Sequence, residues 1–211
     1  YNAYLPAFRS AIRAGVLTVM SAFNDINGEP ISASKTYLTD VLRGHLGFDG
    51  MVVSDYGAVH QLIRGGVAEN DREAAALALN AGVDMDMVDF CYLAEGEEAV
   101  REGRISMETV DRAVRRVLRV KQAKGLFEHP YCERHTVDFP AHRESARNLA
   151  AEAAVLLKNA GGILPLRKDA KILLVGKGAE EREGLHGSWS LDGDATKTAS
   201  FCEAMQGKLR D

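Results

Sequence analysis

Short apolar runs alternate with helical repeats through residues 1–125, and this alternation limits the available folds more than any other feature. Residues 4–14 carry a helical pattern that ends at Gly15, and "VLTVMSAFN" (16–24) then reads as a strand. "NGEP" (27–30) has the composition of a turn. Ser34 can cap a following helix in which Leu38, Val41, Leu42 and Leu46 share one face, with Gly47 closing it. "GMVVSD" follows as the next strand, an alanine-rich helix spans 72–81, and Gly82 leads into "VDMDM", a third short strand. A further helix covers about 93–102, and "SMETVDRAVRRVLRVKQAKG" (106–125) is the clearest helix. It has a stripe of Val110, Ala113, Val114, Val117 and Leu118, a cap at Ser106 and a stop at Gly125. Strands separated by helices with short loops predict a parallel sheet, open or closed into a barrel.

Residues 126–141, "LFEHPYCERHTVDFPA", break the pattern with two prolines and no sustained period, and read as a linker. Beyond it come a helix over 142–158, the sequence "GGILPL" and a strand candidate, "KILLVG" (171–176). The expectation is therefore a β/α domain over 1–125, a linker over 126–141 and the start of a second domain over 142–211. The opening "YNAYLPAFRSAIRAG" reads as a helix already under way, as in a segment of a longer chain.

The stretch "GMVVSDYG" (50–57) raises a chemical question. Three consecutive apolar residues suit a strand buried on both faces. Ser54 and Asp55 then deliver polar groups to its C-terminal end, where parallel β/α sheets bind ligands. "SAFN" ends the preceding strand in the same way, so groups from neighbouring strands converge on one mouth. The competing reading is that Asp55 caps the helix beginning near Ala58.

Bulk composition narrows the partners. The 211 residues are 46% hydrophobic and 27% charged with a formal charge of −4, which supplies no basic footprint for nucleic acid or anionic membranes. No apolar run approaches the roughly 20 residues of a membrane span. Cys91, Cys132 and Cys202 are too few and scattered for a disulfide framework, and an odd count favours reduced thiols. No CxxC or His/Cys cluster at zinc spacing is present, so the expectation is no metal. Asp84, Asp86 and Asp89 suit strand ends or backbone amides better than a metal cage. "GKGAEEREG" (176–184) lacks GxxxxGK[ST], so no phosphate loop and no cofactor is expected.

The run "AGVLTVMSAFNDINGEPISASKTYLTDVLRGHLGFDGMVVSDYGAV" resembles the β-glucosidase-type glycoside hydrolases of family three. The similarity continues in order through "AGVDMDM", "VDRAVRRVLRVKQAKGLFEHPY", "ARNLAAEAAVLLKNAGGILPL" and "KILLVGKGA". It implies the C-terminal part of a TIM-type (β/α) barrel, followed by the first β-α unit of an α/β/α sandwich domain. By motif position it places the catalytic nucleophile on Asp55 and substrate-binding roles on Tyr56, Met20 and Phe23. Met20 suits a barrel core equally well, and Phe23 stands where many members carry a tyrosine hydroxyl. The implied reaction is retaining hydrolysis of terminal β-D-glucosyl residues through a covalent intermediate, with a β-linked oligosaccharide or glycoside as substrate and β-xylosidase as the near alternative. "GSWS" (187–190) resembles a periplasmic branch, whereas reduced thiols suit a cytoplasmic enzyme, so both compartments of a bacterium stay open. Trp189 reaches the substrate or packs beneath its loop.

Family members place the general acid/base on a glutamate in the second domain. Glu180, Glu181 and Glu183 do not match that motif, so the expectation is a chain without its acid/base that is inactive by itself and prone to self-association. The reading from another class is a non-catalytic binding or assembly segment in which Asp55 is a cap. An aldolase or isomerase barrel would want a strand-end lysine or a phosphate site, and neither is evident.

Overall fold

Two short strands, β1 (Thr18–Met20) and β4 (Met51–Val53), pair in parallel with Thr18 opposite Met51 and Met20 opposite Val53. Between them lie a small antiparallel pair, β2 (Asp25–Ile26) and β3 (Glu29–Pro30), a short 3₁₀ turn and a helix over Thr36–His45. These features belong to a computed structural model that describes residues 2–208. The stretch expected as a third strand reduces to one parallel bridge, Val53 to Met85, with two further backbone bonds donated to Val52 O by Asp84 and Met85. The three extended segments thus lie side by side in chain order, as right-handed β-α-β connections allow.

Helices α1 (Leu5–Arg13), α2 (Gln61–Arg64), α3 (Asp71–Ala81), α4 (Cys91–Arg101) and α5 (Met107–Ala123) complete this part of the chain. The Thr36–His45 segment is π-helical, and its last turn closes with Leu46 N–H donating to Val41 O at 2.9 Å. Ser34 accepts the Tyr37 N–H at 3.2 Å at its start. The alanines that made α3 legible also set its packing: Ala74, Ala75 and Ala78 are fully buried, and their small size lets α3 lie close against its neighbours. The main core gathers Leu38, Leu42, Phe48, Val52, Val59, Leu62 and Val83 around them. Each fully buried valine among these contributes about 1.5–3 kcal/mol.

Asp84 is an ion-pair hub inside that core. Its Oδ2 accepts Arg43 Nη2 at 2.7 Å and the Val52 N–H at 2.9 Å, and its Oδ1 accepts Arg116 Nη1 at 2.8 Å. The carboxylate thus joins the Thr36–His45 helix, β4 and α5. Burial lowers the Arg43 pKa against the opposing pull of Asp84.

The chain divides into two compact units between Arg134 and His135. In the second unit, α6 (Phe139–Ala153) starts at Asp138, which accepts the Ala141 N–H at 3.0 Å, and α7 (Phe201–Gln206) starts from a capping box between Ser200 and Glu203. The sequence expectation of a strand over 171–176 is not met: the segment is irregular, and Leu173 is 88% exposed. A strand is a pairing, and no other strand occurs among the described residues of this unit to bond it. The helix expected to reach 158 ends at Ala153.

No helix among the described residues is long and apolar enough to cross a membrane.

Candidate active site

The C-terminal ends of the parallel strands carry the polar groups that the sequence singled out. Past β1 come Ser21, Ala22 and Phe23, and past β4 come Ser54, Asp55 and Tyr56. Val52 and Ser54 are fully buried, whereas Asp55 is partly exposed and Tyr56 is 45% exposed.

Ser54 locks the exit of β4 onto the next segment. Its N–H donates to Met85 O at 2.9 Å, and its Oγ accepts the Met87 N–H at 2.7 Å. Gly57 N–H then donates to Met87 O at 3.2 Å, and Ala58 N–H to Asp55 O at 3.0 Å. Gly57 itself has a φ of +77°, a conformation that side chains disfavour. The turn 54–60 is therefore held along its length by 85–89.

Asp89 completes that hold. Its Oδ2 accepts the N–H groups of Val59 at 2.9 Å and His60 at 3.0 Å, the amides that open the turn leading into α2. A capping Asp55 would need the N–H of Gly57 or Ala58, and these donate instead to Met87 O and to the Asp55 backbone carbonyl. Asp55 instead has one side-chain bond among the described residues, from the adjacent Tyr56 N–H to Oδ1 at 2.7 Å, and its Oδ2 has no hydrogen-bond partner there. Among the described residues that oxygen is thus left unpaired on a partly exposed side chain, on a turn held by its neighbours.

The other proposed substrate residues lie on neighbouring ground without forming one pocket with Asp55. Met20 is 52% exposed at the end of β1, so it is not a core methionine here, and it lines a cleft of about 530 Å³ with Tyr4, Phe8 and Tyr37. Phe23 is half-buried and lines a smaller cleft of about 190 Å³ with Pro30, Ala58 and Leu62. Neither cleft includes Asp55 or Tyr56.

The remaining acidic candidates have structural tasks. Asp84 serves the arginine hub and Asp89 the turn. Asp86 accepts the Tyr92 N–H at 3.3 Å, and its other oxygen is buried without a partner, so burial raises its pKa. In the second unit Glu181 Oε1 accepts the N–H groups of Arg182, Glu183 and Gly184, which ties it to its own turn. Trp189 is 63% exposed in that unit.

The model of the glycosyl hydrolase family 3 N-terminal domain matches residues 1–120. The chain belongs to glycosyl hydrolase family 3. It is 39% identical to a periplasmic β-glucosidase of Salmonella typhimurium over 220 aligned positions, covering 100% of this chain and 29% of that protein. A β-xylosidase of Formosa agariphila is 37% identical over 205 positions, covering 90% of this chain and 28% of the relative. The crystal structure of a Listeria innocua β-glucosidase in complex with glucose superposes with a TM-score of 0.77 at 40% identity, covering 97% of this chain and 29% of that one. The chain thus spans under a third of the length of these relatives, and its α/β character is that of the family's N-terminal domain.

One grouping had no signal in the sequence. His60, Asp71 and Cys91 bring a nitrogen, an oxygen and a sulfur within 4.8 Å of one another, although the residues are 11 and 20 positions apart. Spacing rules for metal ligands look for short, regular intervals and miss such a set.

Proposed function

We propose that this chain carries the nucleophile-bearing part of a retaining exo-glycosidase that hydrolyses terminal β-D-glucosyl residues, with Asp55 as the nucleophile. The observation that carries the reading is the Asp55 carboxylate oxygen left without a hydrogen-bond partner among the described residues at the end of β4, on a turn that Asp89 holds. Family membership and the β-glucosidase relatives support the substrate class.

In this reading residues 1–125 are the C-terminal part of a (β/α)₈ barrel, 126–141 a linker and 142–211 the start of an α/β/α sandwich domain. The side-by-side order of β1, β4 and the Met85 segment supports the barrel assignment.

The chemistry follows from the carboxylate. An ionised Asp55 attacks the anomeric carbon, the bond to the leaving oxygen breaks, and a glycosyl ester forms on the side chain. A protonated carboxyl about 5–5.5 Å away supplies the proton to the leaving group. After departure, the same group, now a base, takes a proton from water, which releases the sugar with its configuration retained. None of the carboxylates described above is assigned that role. Bonding of the 54–60 turn to 85–89 keeps the attacking oxygen in place and so lowers the cost of reaching the reactive geometry. Tyr56, with its aromatic face and hydroxyl, is proposed to border the sugar, and Met20 and Phe23 to do so although they line separate clefts here.

The β-xylosidase reading has its own support in the Formosa relative. A panel of nitrophenyl glycosides on the natural full-length gene product separates the two: glucoside turnover above xyloside supports the first. Asp55→Ala in that protein should lower turnover by about 10⁴-fold with the fold intact. Near-normal activity refutes the assignment.

A further inference from the structure

Three side chains meet beside the turn that follows Asp55. His60 Nδ1 lies 2.8 Å from Asp71 Oδ1, and Cys91 Sγ lies 3.6 Å from the same oxygen. Imidazole nitrogen, carboxylate oxygen and thiolate sulfur are the ligand types that zinc takes, and three protein ligands leave a fourth tetrahedral position. We propose that His60, Asp71 and Cys91 form a binding site for a zinc-like divalent cation, with water in the remaining position.

Each ligand comes from a different element, and each element is fixed by other contacts. His60 sits on the turn whose amides Asp89 holds. Asp71 is the first residue of α3, which Asn70 caps through the Glu73 N–H at 3.1 Å. Cys91 is the first residue of α4, anchored by Tyr92, whose hydroxyl donates to Val83 O at 2.9 Å. The site therefore exists before the ion arrives, which reduces the cost of assembling it. Cys91 is 1% exposed, while the His60 and Asp71 side chains are 45% and 47% exposed. The sulfur forms the floor and the other two ligands form an open rim for ion entry and for the water.

The surrounding charge favours a cation. The carboxylates of Asp86 and Asp89 also lie close to Cys91, beside Asp71 itself. Arg72, next to Asp71 in sequence, is committed to Glu95 and Glu102. Sulfur binds a metal as the thiolate, so the thiol must give up its proton. A dication takes the place of that proton. The ion bonds to sulfur, imidazole nitrogen and carboxylate oxygen, the thiol proton leaves to solvent, and His60 carries its own proton on Nε2 rather than towards Asp71. One proton is released per ion. The bound ion would tie the turn after Asp55 to α3 and α4. The proposal stands independently of the glycosidase reading, because its test reads metal and not turnover.

Cobalt(II) reports the site directly, since a thiolate ligand gives a charge-transfer band and tetrahedral geometry gives visible absorption. The experiment compares the natural full-length gene product with His60→Ala and Cys91→Ser, each checked for folding by circular dichroism. Wild type should show the thiolate band at one equivalent and lose it to one equivalent of zinc, and both variants should lack it. His60 is half-exposed, so His60→Ala decides the matter if Cys91→Ser does not fold. No band in the wild type, or a band kept in either folded variant, overturns the proposal.

Discussion

Asp89 accepts the backbone N–H of Val59 at 2.9 Å, and through that bond it holds the turn that follows Asp55. The buried Val59 amide has no water to turn to, so the bond is needed for the turn to exist in this form. Asp55 accepts none of these amides, and one of its carboxylate oxygens has no hydrogen-bond partner among the described residues.

Asp89→Ala should therefore lower stability by about 1–3 kcal/mol, the cost of leaving buried amides unpaired and the turn uncapped. Asp89→Asn keeps an acceptor oxygen and should recover most of that loss. Denaturant melts measure the stabilities. On the proposed nucleophile role of Asp55, Asp89→Ala in the full-length gene product should reduce kcat more than it changes KM, because Asp89 holds the turn that carries Asp55.

The charge hub predicts a different scale of effect. Asp84→Asn removes the anion between Arg43 and Arg116, whose side chains are 10% and 14% exposed, and leaves two cations in the core. The expected loss is about 3–5 kcal/mol. Asp169→Asn breaks the exposed pair with Arg167 and should cost under about 1 kcal/mol. Equal effects in urea melts of the two variants would show that Asp84 is not the hub described.

Gly50 tests the β1–β4 pairing. A methyl group placed there would run into Leu17 O and the ring of Phe48. Leu17 O also accepts the Met51 N–H at 3.0 Å, the bond that begins the parallel pair. Gly50→Ala should therefore destabilise the first unit by about 1–3 kcal/mol and raise amide exchange at Met51 and Val53. Unchanged exchange would contradict the close approach.

These residues also show what a sequence can and cannot display. The helices α3 and α5 were legible because their signals are local: alanines packed at helical spacing, and Ser106 accepting the Thr109 N–H at 3.1 Å at the start of α5. Asp55 was legible because an apolar run ended on it. The strand over 171–176 was not, because strand formation depends on a partner and not on the segment's own residues. That Asp89 would bind backbone amides was legible, but which amides was not, since they lie about 30 residues earlier in the chain. The cluster of His60, Asp71 and Cys91 had no signal at all, because the fold brings together residues that the sequence spaces irregularly.

The central claim is that Asp55 bonds covalently to a sugar, and a trapping reagent tests it most directly. A 2-deoxy-2-fluoro-β-glucoside with a good leaving group slows breakdown of the glycosyl ester, so the adduct accumulates on the full-length protein and can be located by peptide mass spectrometry. The account predicts a fluoroglucosyl adduct on the peptide containing Asp55, lost in Asp55→Ala. An adduct on another carboxylate, or an active enzyme that never forms one, would contradict it.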